Sequence, residues 1–406
     1  MIAETRSFTI QTIPGSGLGD QLGTQFTRLY GLGKSIGAKY IYTPVSFQRS
    51  IKPRSMRLSQ SLFFRLRYFL FFYIGQNIFS NAVNAIFLQL EKRIDSLQVI
   101  KADNKLSTYL GLKYINEGDS NLLQNNSFCD ICLEDFFELN EFPYLLDFKD
   151  YVNYLMNEKT GSTIFRFSWT GKMWALIPKI DQLLKEAELD KDVILKNTFS
   201  GGYWKQHVQP FSGKTNIVLH IRCGDSTTVQ LGKRTLIVYD KFLYESVDEM
   251  KEIFKIDPDR VSVLPEEYFH VYNQIVDKVG LEKISMTVIS DGYELTYTNL
   301  LRNLLKRKCA IRLSGKEKKV LAQKIKEFNG VFKNFTHAKL IIGESDKNLQ
   351  DSVYALANAD VVIWGCGGFA CNTHYLFKGP VKKSLVMNVK DYFDSNINLI
   401  KELKNG

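Results

Sequence analysis

Asn216-Ile217-Val218-Leu219-His220-Ile221-Arg222-Cys223-Gly224-Asp225 is an apolar run that ends in a histidine, an arginine and an aspartate. The run reads as a buried strand, and the polar residues as the turn that leaves it. An arginine at such a strand exit is costly unless something anionic meets it. Its planar guanidinium can hold two phosphate oxygens at once, and a neighbouring turn can add backbone N–H groups. A buried strand running into an anion-seeking turn is the pattern of an α/β sheet.

The flanking sequence supports that reading. Further apolar runs occupy 286–290, 310–313, 340–342, 361–364 and 385–387, with helix-like stretches at 265–279, 297–306, 317–328 and 348–358 between them. Strands alternating with helices of this length predict a parallel, doubly wound sheet. Ligands bind such sheets beyond the carboxyl ends of the strands. The polar motifs stand at those ends: 220–225, Ser290-Asp291-Gly292 and 365–369. Near the start, a strand over 8–13 leads into the turn Gly15-Ser16-Gly17-Leu18-Gly19-Asp20-Gln21, a helix to about residue 36 and a second strand over 39–42, a βαβ unit. The middle, 93–209, is mixed and aromatic and shows no assignable period. Pro210 and Gly213 flank a polar segment before the central strand. The expected domains are therefore 1–208, with an insertion at about 45–90, and 209–406.

With 406 residues and globular proportions of apolar and charged residues, the chain is long enough for two domains. Its net charge of +10 favours anionic partners. No nucleic-acid module accompanies the charge, so nucleic acid is not an expected partner. Six cysteines in a chain this long do not form a disulfide framework, and Cys129-Asp130-Ile131-Cys132 reads as two unrelated thiols. Residues 1–10 hold no apolar core of signal-peptide length, which predicts a cytoplasmic protein.

From 21 to 90 there is no Asp or Glu, while Arg28, Lys34, Lys39, Arg49, Lys52, Arg54, Arg57, Arg65 and Arg67 all fall there. Residues 68–90 are uncharged and aromatic, but Gln76, Asn77, Ser80, Asn81 and Asn84 interrupt the apolar run. A membrane span is not expected. Two readings stay open: peripheral docking on the inner face of an anionic membrane through 49–90, and a core helix pair whose basic residues face solvent or a substrate.

Four segments carry the candidate chemistry. In 17–21, glycines let backbone approach a phosphate or sugar. In 220–225 stands the strand-end arginine. In 289–292, Asp291 ends a strand, either as a carboxylate able to accept from a base or as a local cap. In Trp364-Gly365-Cys366-Gly367-Gly368-Phe369-Ala370-Cys371-Asn372, a small-residue turn opens a helix and forms an anion nest. Asp190-Lys191-Asp192 and Asp257-Pro258-Asp259 match D-x-D, but both lie in charged, surface-like runs, so no metal site is expected.

In their order and spacing these segments resemble the fucosyltransferase superfamily of α1,2-, α1,6- and protein O-fucosyltransferases. The resemblance rests on His220-Ile221-Arg222 with Asp225, on Ser290-Asp291, on Gly367-Gly368-Phe369, and on Ser16-Gly17-Leu18-Gly19-Asp20-Gln21. It covers the N-terminal turn and most of 215–380, and not 45–205. It implies a GT-B fold, with two Rossmann-like domains facing a cleft, and metal-independent, inverting transfer of fucose from GDP-fucose to a glycan hydroxyl in bacterial-type surface polysaccharide synthesis. By the same resemblance Arg222 binds the β-phosphate, and His220 and Asp291 read the guanine. Gly17, Gly19, Gly367, Gly368 and Phe369 approach the diphosphate, and Asp20 or Asp225 serves as base. Asp225 reads equally as a structural partner of Arg222. Two departures stand out: Cys223 where a second arginine is common, and Asp20 in place of an asparagine. They leave room for a different nucleotide-sugar donor. The basic stretch keeps open a third reading, a non-catalytic membrane- or polyanion-binding protein on a degenerate scaffold.

Overall fold

The computed structural model describes residues 6–13, 21–43, 82–83, 86, 111–125, 127–157, 163–190, 194, 213–223, 226–231, 234–239, 242–244, 263, 265–293, 313–317, 319–320, 323, 328–343, 346–377, 384–392 and 394–403. The chain is α/β and divides into two compact units that are not contiguous in sequence, as the expected domains are. The first comprises Met1–Ile51, Val99–Gln209 and Asn372–Val381; the second comprises Lys52–Gln98, Pro210–Cys371 and Lys382–Gly406.

The first unit holds strands β1 (Ser7–Gln11), β2 (Lys39–Tyr40), β3 (Ser127–Ile131) and β4 (Thr163–Ser168) in the order β2-β1-β4-β3, all parallel. Helices α1 (Thr27–Ser35), α2 (Leu133–Leu139), α3 (Leu145–Asn157) and α4 (Ile177–Glu186) accompany them. The aromatic middle that resisted assignment supplies half of this sheet. Burial on both faces explains the resistance: the adjacent residues Ile164 and Phe165 on β4 are both buried, so the strand does not read as a strict apolar–polar alternation. Phe8, Phe26, Tyr30, Tyr40 and Phe167 form one connected aromatic core. Gly33 of α1 lies against the ring of Phe8, where a Cβ would collide with it, so helix and strand approach closely.

The second unit is built on β5 (Thr215–His220), three antiparallel strands β6 (Ser226–Leu231), β7 (Arg234–Tyr239) and β8 (Phe242–Tyr244), then α5 (Pro265–Val279), β9 (Ile284–Ser290), β10 (Lys339–Ile342), α6 (Asp346–Asn358), β11 (Val361–Trp364), α7 (Phe369–Phe377), β12 (Leu385–Asn388) and α8 (Asp394–Glu402). Strands β10-β9-β5-β11-β12 form one parallel sheet in that order. The first of these five strands in sequence is thus the central one, with the next two on one side and the last two on the other. Chain order reverses between β5 and β11, which makes that junction the topological switch point. All six residues of β5 are buried, as expected of a strand covered on both faces. Ile217, Leu219 and Ile221 enter one core with α5 residues Tyr268, Tyr272 and Ile275. Val218 enters the opposite core with Leu356 of α6 and Ala370 of α7.

The expected strands and helices at 286–290, 340–342, 361–364, 385–387, 265–279 and 348–358 are present, with ends shifted by at most two residues. The antiparallel meander β6-β7-β8, directly after the opening motif, was not expected. Residues 310–312 of the strand expected at 310–313 and the helix expected at 297–306 lie outside the described residues, as does most of 49–90.

Candidate functional site

The site forms where β5, β9 and β11 end side by side. His220 pairs in register with Ile289 on one side and with Trp364 on the other. Strand alternation then decides which side chain goes where. Positions 217, 219, 221 and 223 share one face, and Cys223, 1% exposed, completes the α5-side core. His220 and Arg222 take the other face, with Val218, toward the start of α7.

Arg222 is half-buried and lies on the backbone of Gly367, where a Cβ would meet its Nη1. Gly367 has φ of 77°, so a side chain there is disfavoured on two counts. The turn is held from two further directions. Asn388 Nδ2 donates to Gly365 O at 3.2 Å, and Gly365 has no room for a Cβ beside Tyr268 Oη and Val263. After it α7 begins, with no acidic residue in its first turn. A helix N-terminus and a guanidinium therefore bear on the same small-residue turn, which favours an anion.

His220 is 6% exposed, and its ring packs on Phe369 with 5.6 Å between centroids. Burial, reinforced by the neighbouring Arg222 charge, pushes its pKa down to about 3. The imidazole is neutral at physiological pH. Its Nδ1 is buried without a hydrogen-bond partner among the described residues. A buried polar atom left unpaired costs about 1–3 kcal/mol, so it marks where a ligand group would be stabilising.

Asp291 stands at the end of β9, and its Oδ1 accepts the backbone N–H of Cys223 at 2.8 Å. Ser290 Oγ accepts from Gly292 N at 3.0 Å and donates to Cys223 Sγ at 3.6 Å. Burial, with Asp291 nearby, pushes the Cys223 thiol well above its ordinary range. Position 223, where the resemblance leads one to look for a second arginine, faces the core and contributes no cation.

The structure thus brings together His220, Arg222, Asp291, Gly367, Gly368 and Phe369. Gly17, Gly19, Asp20 and Asp225 lie outside the described residues. Next to the N-terminal turn, Thr12, Gln21 and Gln25 are buried: Gln25 Oε1 accepts Ile13 N–H at 2.8 Å, and Thr12 Oγ1 donates to Gln21 Oε1 at 3.4 Å. Gln25 was not singled out from the sequence, although two glutamines four apart in an apolar helix start were the visible signal. They lie on a single π turn, Gln21–Phe26, a distortion frequent near functional sites.

Two cations of the acid-free stretch prove to be scaffold. Arg28, 7% exposed, makes a two-pronged ion pair with Asp181 at 2.7 and 2.8 Å. Lys34 pairs with Glu117 at 2.7 Å. Their acids come from distant sequence, Asp181 and Glu117, while nearly all of the proposed docking stretch 49–90 lies outside the described residues. No helix among the described residues is long and apolar enough to cross a membrane. In Cys129-x-x-Cys132 the first thiol is buried and the second exposed, and both are free. A hydrogen bond with Asp135 raises the Cys132 pKa.

No protein-family model matches the chain, and no curated protein matches it. Among solved structures, POFUT1 in complex with GDP aligns at 12% identity over 94% of this chain and 98% of that one, with a TM-score of 0.33. A second structure of POFUT1 with GDP aligns at 10% identity over 95% and 99%, TM-score 0.32. POFUT1 with GDP-fucose aligns at 11% identity over 94% and 98%, TM-score 0.35. Overlaps this slight decide neither fold nor activity.

Proposed function

We propose that the chain is a GT-B glycosyltransferase that transfers fucose from GDP-fucose to a glycan hydroxyl. The observation that carries this reading is Arg222 lying on the Gly367 turn at the start of α7, beside a buried neutral His220, at the switch point of a parallel sheet. That arrangement suits a diphosphate. The guanidinium and the helix start take the phosphate charge, Gly368 and Phe369 line the approach, and His220 offers its unpaired nitrogen to the base. Gly17 and Gly19 bring backbone to the diphosphate from the N-terminal turn.

The reaction is a single displacement. The acceptor oxygen bonds to the anomeric carbon as the bond to the β-phosphate oxygen breaks, with inversion, and the acceptor proton passes to a carboxylate, Asp20 or Asp225. Negative charge grows on the departing GDP, where a fixed Arg222 stabilises the transition state more than the ground state. The reading needs no metal and places the protein in surface polysaccharide assembly on the cytoplasmic side.

Release of GDP from a panel of GDP-sugars, with and without EDTA, is the test. Release from GDP-fucose that survives EDTA and disappears in Arg222→Ala supports the proposal. Thermal stabilisation by UDP and not GDP would sink it in favour of another nucleotide sugar.

A further inference from the structure

The register of β5 against β9 gives Asp291 a different task from base recognition. In a parallel pair, every second N–H on one strand bonds every second carbonyl on the other. His220 pairs with Ile289, and Ile221 N–H donates to Ile289 O at 2.9 Å. The next rung would run from Cys223 N–H to the carbonyl of Asp291. Gly292, with φ of 72°, turns the chain away at this point. The rung is made instead by the Asp291 side chain, whose Oδ1 takes the Cys223 N–H at 2.8 Å. The carboxylate thereby extends the ladder one step past the end of the strands. The residue held between the last two rungs is Arg222.

Two neighbouring contacts fix Asp291 in that role. Ser290 Oγ accepts Gly292 N–H at 3.0 Å, and Ser290 O accepts Gly343 N–H at 2.9 Å, which ties the end of β9 to β10. On the far side, the Arg222 side chain rests on Gly367. The guanidinium is thus defined by a backbone anchor from β9 and a floor from the β11–α7 turn.

We infer that Asp291 is a positioning residue that sets Arg222 through the Cys223 amide, rather than a reader of the guanine edge. This rests on the nucleotide-sugar reading for its effect on binding, but not for its effect on the backbone. The two roles make opposite demands on an amide replacement. Asp291→Asn keeps one acceptor oxygen for Cys223 N–H, whereas a carboxylate that takes two guanine hydrogens loses one of its two acceptors.

The experiment compares wild type, Asp291→Asn and Asp291→Ala by hydrogen–deuterium exchange over 220–223 and by calorimetric titration with GDP and with IDP, which lacks the guanine 2-amino group. For a positioning residue, Asp291→Ala speeds exchange at Cys223 and weakens GDP and IDP by the same factor, about 10-fold for one buried amide left unpaired. Asp291→Asn recovers most of both losses, and the GDP-to-IDP preference is the same in all three proteins. A collapse of that preference in Asp291→Asn, with Cys223 still protected, overturns the inference, as does unchanged exchange in Asp291→Ala. Should Asp291→Ala fail to fold, Asp291→Asn decides alone through the same two readouts. If wild type binds neither nucleotide, the donor reading falls while the exchange data still judge the anchor.

Discussion

Arg28 in the first unit and Arg222 in the second are both drawn out of water beside parallel sheets, but their surroundings differ. Arg28 ends on a carboxylate, with both prongs of its guanidinium taken by Asp181. Arg222 ends on glycine backbone at a helix start, next to an imidazole whose Nδ1 is unpaired. The polar residues beside the first unit's turn are matched in the same way as Arg28, with Gln25 on Ile13 N–H and Thr12 on Gln21. A polar group with a fixed internal partner is part of the scaffold. A buried polar atom without a partner among the described residues, as His220 Nδ1 is, is disposed to receive a ligand.

The strongest way to break this contrast is to remove each guanidinium in turn. Arg222→Ala is expected to lower transfer or donor hydrolysis by about 10²–10³, the range for losing one preorganised charge donor. Its melting temperature should stay near wild type. A large loss of stability with proportionate loss of activity would instead make Arg222 a scaffold residue like Arg28.

His220 sharpens the second side of the comparison through pH. Its folded pKa, about 3, lies below the ordinary value of 6.5. Between those values the unfolded chain binds the proton and the folded chain does not. The stability associated with the neutral ring is therefore complete above pH 6.5 and declines as the pH falls toward 3. At pH 4.5 the loss is on the order of 2–3 kcal/mol, from two pH units at about 1.4 kcal/mol each. Denaturant titrations of wild type and His220→Gln at pH 7 and 4.5 isolate it: the difference between the proteins should shift by that amount. Equal pH dependence would mean that the ring is solvated.

Arg28→Met is the counterpart in the first unit. Its effect should be on stability, about 2 kcal/mol, below the usual cost of breaking a buried pair because Asp181 is 44% exposed and regains water. Donor affinity, measured by GDP titration, should not change.

How much of this was legible in sequence follows from burial. Fully covered parallel strands are continuous apolar runs, so Val361–Trp364 and its neighbours stood out. The inward face of Cys223 was also legible in principle, because it continues the alternation of 217, 219 and 221. The meander was not: Ser226–Leu231 is mostly polar, and its pairing partner lies across the short Gly232-Lys233 connection. Nor was the bond from Cys223 to Asp291, which depends on the register of two strands 68 residues apart in sequence. The partners of Arg28 and Lys34 lie 153 and 83 residues away, so their neutralisation could not be read from the acid-free stretch itself.

Lys34 carries the smallest expected effect. Its ion pair with Glu117 is only about two-thirds buried, at 33% and 32% side-chain exposure. Such a pair contributes at most about 1 kcal/mol and is weakened further by salt. Lys34→Ala should therefore cost about 0.5 kcal/mol in low salt and less in high salt. The informative readout is a vesicle sedimentation assay with anionic lipid. If the protein binds such vesicles at all, Lys34→Ala should bind as wild type does, because its ammonium is already engaged by a carboxylate within the first unit. A clear loss of binding would mean that the pair opens at a membrane surface.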